Sequence, residues 1–340
     1  MSSKQRHSTI PIFMPEMACP FRCIYCNQTV ITGSSQQLSD AAVRKTIETY
    51  LATQRDGSVV QVGFFGGTFT GLPLAEQERL LRVVSEYVER GLVEGVTLST
   101  RPDYIDAERV ALLRRYHVGN VELGVQSLDD EVLRQTRRGY TARQVYAAAE
   151  LIQHSGMEVG MQMMIGLPGD TSDKALQTAQ KIVAAGATNT RIYPTLVVKD
   201  TALEALWRRG EYTPLSLDEA VQWTKRLLPV FEADGVRVLR VGLHPTEGFI
   251  SGADYLAGPF HVSFRELVES AMAHDALEAA ANQLPKDIHA VVVRTSRENM
   301  NAAVGYGGSN KRWLQEHYST VRFTVDDSLA GRNMSLAPIQ

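Results

Sequence analysis

Short β-branched or apolar runs alternate with amphipathic stretches along most of the chain. Runs at residues 10–14, 59–65, 95–100, 120–125, 158–165, 189–193 and 236–241 have the length and composition of strands. Between them, apolar residues recur at helical spacing over 39–54, 74–90, 106–116, 141–155, 172–185 and 217–233. Several of these stretches begin at a Ser, Thr or Asp whose side chain can accept an N–H of the first turn. Six or seven β-then-α units in series predict an α/β fold. Its parallel strands are joined by right-handed crossovers into a partial (β/α) TIM-type barrel. The pattern breaks after Val241, where GLHPTEGFISGADYLAGPF fits neither period. Residues 242–260 are therefore expected to be a linker or long loop. It would separate a core domain, 1–241, from a small C-terminal α/β domain, 261–340. In that module 264–282 reads as a helix, and 287–295 and 320–326 read as strands.

Composition adds limits rather than a function. The chain has 340 residues, 44% hydrophobic and 21% charged, in the range of globular proteins. Its formal net charge of −3 gives no global field for a polyanion, though a local basic patch stays open. MSSKQRHSTI lacks the apolar centre of a signal peptide, and no apolar run approaches the roughly 18 residues of a membrane span. A cytoplasmic protein with no membrane partner is expected.

The cysteines change the picture. There are three, all inside CPFRCIYC: Cys19, Cys23 and Cys26. An odd, crowded set without an export signal is a poor disulfide framework and a good metal site. Thiolates hold iron–sulfur clusters, and three of them leave one iron of a four-iron cubane open for chemistry. Zinc is the competing metal, but it would want a fourth Cys or His nearby. The nearest histidines in sequence are His7 and His117.

Cys-x3-Cys-x2-Cys directly after a strand, with Tyr25 before the third cysteine, resembles the signature of the radical S-adenosylmethionine (SAM) superfamily. The resemblance implies a 4Fe-4S cluster on Cys19, Cys23 and Cys26. It also implies reductive cleavage of SAM to methionine and a 5′-deoxyadenosyl radical. It continues along the chain, most closely to the Elongator radical-SAM subunit (elongator protein 3) and also to the coproporphyrinogen-oxidase-like group. FFGGTFTGLP carries Gly66, Gly67 and Thr68, where glycines let the backbone approach the methionyl amino group. LSTRPDYI resembles an ETRPD segment, with Ser99 in place of its Glu. ELGVQSLDDEVL and TRRGYT carry over Gln126 as a polar SAM contact and Arg138 as partner of its carboxylate, which a guanidinium can pair bidentately. MQMMIGLPGDT adds Gln162, and a Met163–Met164–Ile165 run that reads as barrel core. RIYPTLVVKD places Tyr193 and Pro194 near adenine. Each segment falls at the C-terminal end of an expected strand, where barrel enzymes collect their sites.

Departures from both families matter. The 340 residues are too few to hold the acetyltransferase domain that follows the barrel in elongator protein 3. Gln28 stands where coproporphyrinogen oxidases have a fourth cysteine, and FMPEMAC replaces their lead-in. The resemblance thus implies a radical SAM enzyme whose first-ranked substrate is an RNA base, with tRNA as the corresponding partner. Tetrapyrrole or small-metabolite chemistry and a haem-carrier-like cluster protein are the alternatives. A flavodoxin or ferredoxin would supply electrons. GYGGSNKRWL resembles a C-terminal module of related proteins. Its Lys311, Arg312 and Trp313 either hold a phosphate and stack a base, or form a helix start whose Trp packs inward.

Overall fold

The computed structural model describes residues 7–14, 23–27, 38–54 and 57–339. Cys19 lies outside the described residues.

The alternating units form one open parallel sheet. In chain order they are β1 (His7–Phe13), α1 (Asp40–Leu51), β2 (Val59–Phe65), α2 (Leu74–Glu89), β3 (Gly95–Thr100), α3 (Ala107–Arg115) and β4 (Val118–Gln126). Then follow α4 (Asp130–Gln135), α5 (Ala142–His154), β5 (Glu158–Ile165), α6 (Ser172–Ala184), β6 (Asn189–Pro194), β7 (Val197–Val198), α7 (Ala202–Arg208), α8 (Leu217–Ala233) and β8 (Arg237–Val241). Strand order is β1-β2-β3-β4-β5-β6-β8, all parallel, with β1 and β8 as the two edges: a partial (β/α) barrel.

Alternate side chains sort each strand between an apolar face and a polar, largely buried one. Val60, Val62 and Phe64 of β2, Val121, Leu123 and Val125 of β4, and Val159, Met161, Met163 and Ile165 of β5 are buried in the main core. Each such side chain, fully buried, contributes about 1.5–3 kcal/mol. The opposite, concave face carries Gln61, Thr97, Ser99, Asn120, Glu122, Gln162 and Arg191. Helix starts are fixed locally. Asp106 accepts from the Arg109 N–H, and Thr141 with Gln144 and Ser216 with Glu219 form reciprocal capping boxes on α5 and α8.

Residues 242–260 are not the plain linker that the Gly and Pro content suggested. They contain a short helix, α9 (Glu247–Ile250), and a strand, β9 (Tyr255–Ala257), which pairs antiparallel with β7. Phe249, Tyr255 and Phe260 pack together there with Leu196 and Val198. Next, α10 (Phe264–Ala281) joins the two parts of the chain. Phe264 and Val268 belong to the main core, and Leu277 to the core of the C-terminal module.

That module adds β10 (Ala290–Thr295), α11 (Met300–Val304), α12 (Ser309–His317), β11 (Thr320–Val325) and β12 (Met334–Pro338). Its sheet has the order β11-β10-β12, parallel then antiparallel; β12 was not expected from the sequence. Trp313 is half-buried between His274 and His317, with ring centroids 4.7 and 5.0 Å away. Arg312 turns back onto the Gly307 carbonyl at 2.5 Å. The indole is thus engaged in the module's own packing, while Lys311 and Arg312 lie exposed. Among the described residues no helix is long and apolar enough to cross a membrane.

Candidate active site

The Cys23–Asn27 segment is held by loops that leave the C-terminal ends of the strands. Ile24 donates to the Thr136 carbonyl at 3.4 Å and accepts from the Leu203 N–H at 2.7 Å. The Asn27 amide donates to Lys199 O at 3.1 Å. A turn between the two cysteines is closed by Cys26 N–H to Cys23 O, 3.0 Å. Cys23, Ile24 and Tyr25 are buried with Val132, Leu167, Val197, Leu203 and Tyr212, so this stretch sits on a dry cushion separate from the main core. Met164, expected as barrel core with its neighbours, packs onto this cushion instead; Met163 and Ile165 do face the helices.

Two guanidinium groups converge on one sulfur. Arg138 Nη1 lies 2.9 Å from Cys23 Sγ and 3.1 Å from the Tyr25 hydroxyl; its Nε donates to Tyr140 at 2.8 Å and its Nη2 to Gly124 O at 2.7 Å. At 5% exposure Arg138 is no solvated helix-end charge. Burial works against its charge, but Tyr140, Tyr25 and Cys23 more than compensate, and the group stays protonated. Burial also pushes the Tyr25 hydroxyl well above its ordinary range, so it stays neutral. Arg101 brings the second guanidinium, with Nη1 at 3.8 Å from Cys23 Sγ. Arg101 and Tyr140, whose ring lies 5.2 and 4.9 Å from the Arg101 and Arg138 guanidinium carbons, were not singled out from the sequence. The signal was present: Arg101 directly follows β3 in LSTRPDYI, and Tyr140 ends TRRGY.

The other sequence-flagged residues lie on β3, β4, β5 and β6 and at the bend after β2. Gln126 ends β4 with a positive φ of 64°, where the β4–β5 register shifts, and it accepts from Gln162 Nε2 at 3.3 Å. Ser99 is in register with Glu122 on the concave face. Pro194 is buried and in register with Ile165, on the helix side; Tyr193 shares the face of Arg191. Gly66, Gly67 and the buried Thr68 form the bend after β2. The turn that follows is tied down by Thr70 and Thr100 hydroxyls 2.5 Å apart, and by Gln77 donating to Thr70 O and Leu72 O.

Gly66 has φ 101°, a conformation that side-chain-bearing residues rarely adopt. Gly66→Ala should therefore cost about 1–3 kcal/mol of stability. It should also weaken SAM binding while leaving iron content intact. Calorimetric SAM titration and iron analysis on one preparation check both parts. Wild-type SAM affinity would remove the bend from the site.

A second loop abuts the same cushion. Asp170 accepts from the Gly166 N–H at 3.0 Å and the Thr171 N–H at 2.9 Å, while Tyr212 donates to Gly166 O at 2.7 Å. Burial pushes the Asp170 carboxyl up to about 7, against these two N–H groups and Lys174. Because an ordinary Asp titrates near 3.9, the folded chain holds a proton that the unfolded chain has released. Stability should thus fall as pH rises from about 4 to about 7 and level off above, by about 4 kcal/mol from this group. Urea midpoints of Asp170→Asn should be flatter over that window than those of the parent. Parallel profiles would refute this.

Two family models match this chain: the radical SAM superfamily over residues 17–182 and the radical SAM C-terminal domain over 188–274. The chain belongs to the radical SAM superfamily. Elongator complex protein 3 of Bos taurus is 28% identical over 289 residues, 74% of this chain and 52% of that protein. A tRNA uridine(34) acetyltransferase of Dehalococcoides mccartyi is 25% identical over 301 residues, 77% of this chain and 64% of that protein. The chain thus spans about half to two thirds of the length of these relatives. The archaeal Methanocaldococcus infernus Elp3, solved with residues 1–46 deleted, superposes with a TM-score of 0.62 at 19% identity, over 81% of this chain and 64% of that one. It shares the fold.

Radical SAM enzymes use a 4Fe-4S cluster and SAM, and the residues here fit both. Two thiols one turn apart are the soft donors such a cluster takes, and Arg138 and Arg101 complement the negative charge of metal-bound sulfur. The superfamily signature's first cysteine corresponds to Cys19, outside the described residues.

Proposed function

We propose that this radical SAM enzyme holds its cluster on Cys19, Cys23 and Cys26 and directs a 5′-deoxyadenosyl radical at an RNA base. The observation that carries the reading is the convergence of Arg138 on Cys23 at the mouth of the concave face, beside the Gln126–Gln162 pair. When bound, the cluster supplies one electron to SAM, which yields methionine and the radical.

The chain's own residues bind, orient and exclude water. Four contacts fix the plane of Arg138 and take four of its five N–H donors, so it meets the SAM carboxylate through the remaining Nη2 N–H and not bidentately. Backbone groups of Gly66 and Gly67 receive the amino group. Ser99, Gln126 and Gln162 offer polar contacts, and Tyr193, on the face of Arg191, borders adenine, whereas Pro194 faces the helices. Tyr25 keeps its ring in the dry cushion before Cys26 and limits water access. A flavodoxin or ferredoxin is the electron donor. The RNA-base substrate is supported by the tRNA-directed name of a relative that aligns over 77% of this chain.

The test is anaerobic turnover with dithionite, SAM and tRNA carrying deuterium at its bases. Deuterium should appear in 5′-deoxyadenosine. Label transfer from a tetrapyrrole but not from tRNA would overturn the substrate. A cluster-loaded protein that forms no 5′-deoxyadenosine would point to a haem-carrier role.

A further inference from the structure

The two guanidinium groups beside Cys23 are not equivalent. Arg138 spreads its donors over Tyr140, Tyr25, Gly124 O and the sulfur. Arg101 is fixed by groups that belong to neither substrate nor SAM. Its Nε and Nη2 pair bidentately with Asp103 at 2.9 and 2.8 Å, and Nη2 also reaches Arg138 O at 2.5 Å. Its plane lies over Tyr140. Pro102 directly after it opens the short 3-10 turn that brings Asp103 back. With these restraints in place, Nη1 faces Cys23 Sγ.

This placement is expensive for folding. Arg101 is 4% exposed, it repels Arg138, and a buried ion pair often stabilises less than apolar side chains of similar size would. A buried cation aimed at a metal-ligating sulfur has a different effect. N–H donors and positive charge at a cluster's sulfurs favour the more negative, reduced state and raise the reduction potential. We propose that Arg101 is a positioning residue that sets the cluster's reduction potential through Cys23, with Asp103 as the counter-charge that limits the effect. This rests on Cys23 being a cluster ligand.

The test uses the full chain, reconstituted anaerobically, with iron and sulfide analysis followed by a potentiometric titration of the cluster without SAM. Arg101→Gln should lower the reduced-to-oxidised ratio at fixed potential about tenfold, equivalent to about 59 mV for one electron. Arg101→Lys should restore most of that loss. Asp103→Asn should move the potential the opposite way, by removing a negative charge while keeping the guanidinium. A merely structural Arg101 would not produce opposite signs in the two variants.

An iron-loaded Arg101→Gln protein with the parent potential would overturn the proposal. If that variant fails to hold iron, the titration of Asp103→Asn decides: an unchanged or lowered potential overturns it and a raised one supports it. A parent chain that binds no iron would instead overturn the cluster assignment on which the proposal rests.

Discussion

Cys23→Ala should purify with almost no iron and form no 5′-deoxyadenosine from SAM, a loss of about 100-fold or more. Removing a residue that only supports a metal ligand already costs about 10–100-fold, and a ligand should cost more. Cys23 is also the sulfur that both Arg101 and Arg138 face, so its loss leaves two buried guanidinium groups without that partner. The parent should carry about four irons per chain after anaerobic reconstitution. Cys26→Ala should match Cys23→Ala in iron content, although Cys26 is more exposed. Circular dichroism should show both variants folded, because the main core lies in a separate cluster of side chains. Iron analysis and product chromatography check the outcome. A Cys23→Ala protein that retained iron and cleaved SAM would sink the assignment.

Glu122→Ala should destabilise the iron-free chain by up to about 3 kcal/mol, the low end for stripping one partner from a buried pair, because the Arg191 side chain left behind is 20% exposed. Glu122, 3% exposed, receives Arg191 Nε at 2.5 Å and Nη2 at 2.9 Å. The Arg191 guanidinium also lies 5.3 Å from the Phe65 ring centroid. That ring fits because residue 63 is glycine: a Cβ there would lie 2.4 Å from it. Without Glu122 the cation keeps an aromatic neighbour but loses both carboxylate bonds. Replacing the pair together, Glu122→Leu with Arg191→Met, should recover most of the stability, since the uncompensated charge goes as well. Urea denaturation of the three variants measures this. Equal midpoints for Glu122→Ala and the parent would show that water already screens the pair.

What the chain dictates locally was legible before folding was considered. The spans 59–65, 95–100 and 158–165 were expected as strands and are strands, because short β-branched and apolar runs suit strands buried in a parallel sheet. Likewise 217–233 was expected as a helix, with Ser216 and Glu219 capping its start. The cysteine triplet and the segments at strand ends were legible for the same reason: their chemistry depends on spacing of a few residues.

Contacts between distant segments were not legible. Nothing near β7 or β9 marks them as partners, since two to three residues become a strand only when a neighbour supplies the hydrogen bonds. Likewise β12 needed β10 beside it. Glu122 and Arg191 are 69 residues apart, and Arg101 and Arg138 reach Cys23 across 78 and 115 residues. In sequence these are ordinary charged residues, which belong on the surface by default. Only the curvature of the parallel sheet, which gathers the C-terminal ends of β3 and β4 around the cysteine loop, turns them into a buried electrostatic site.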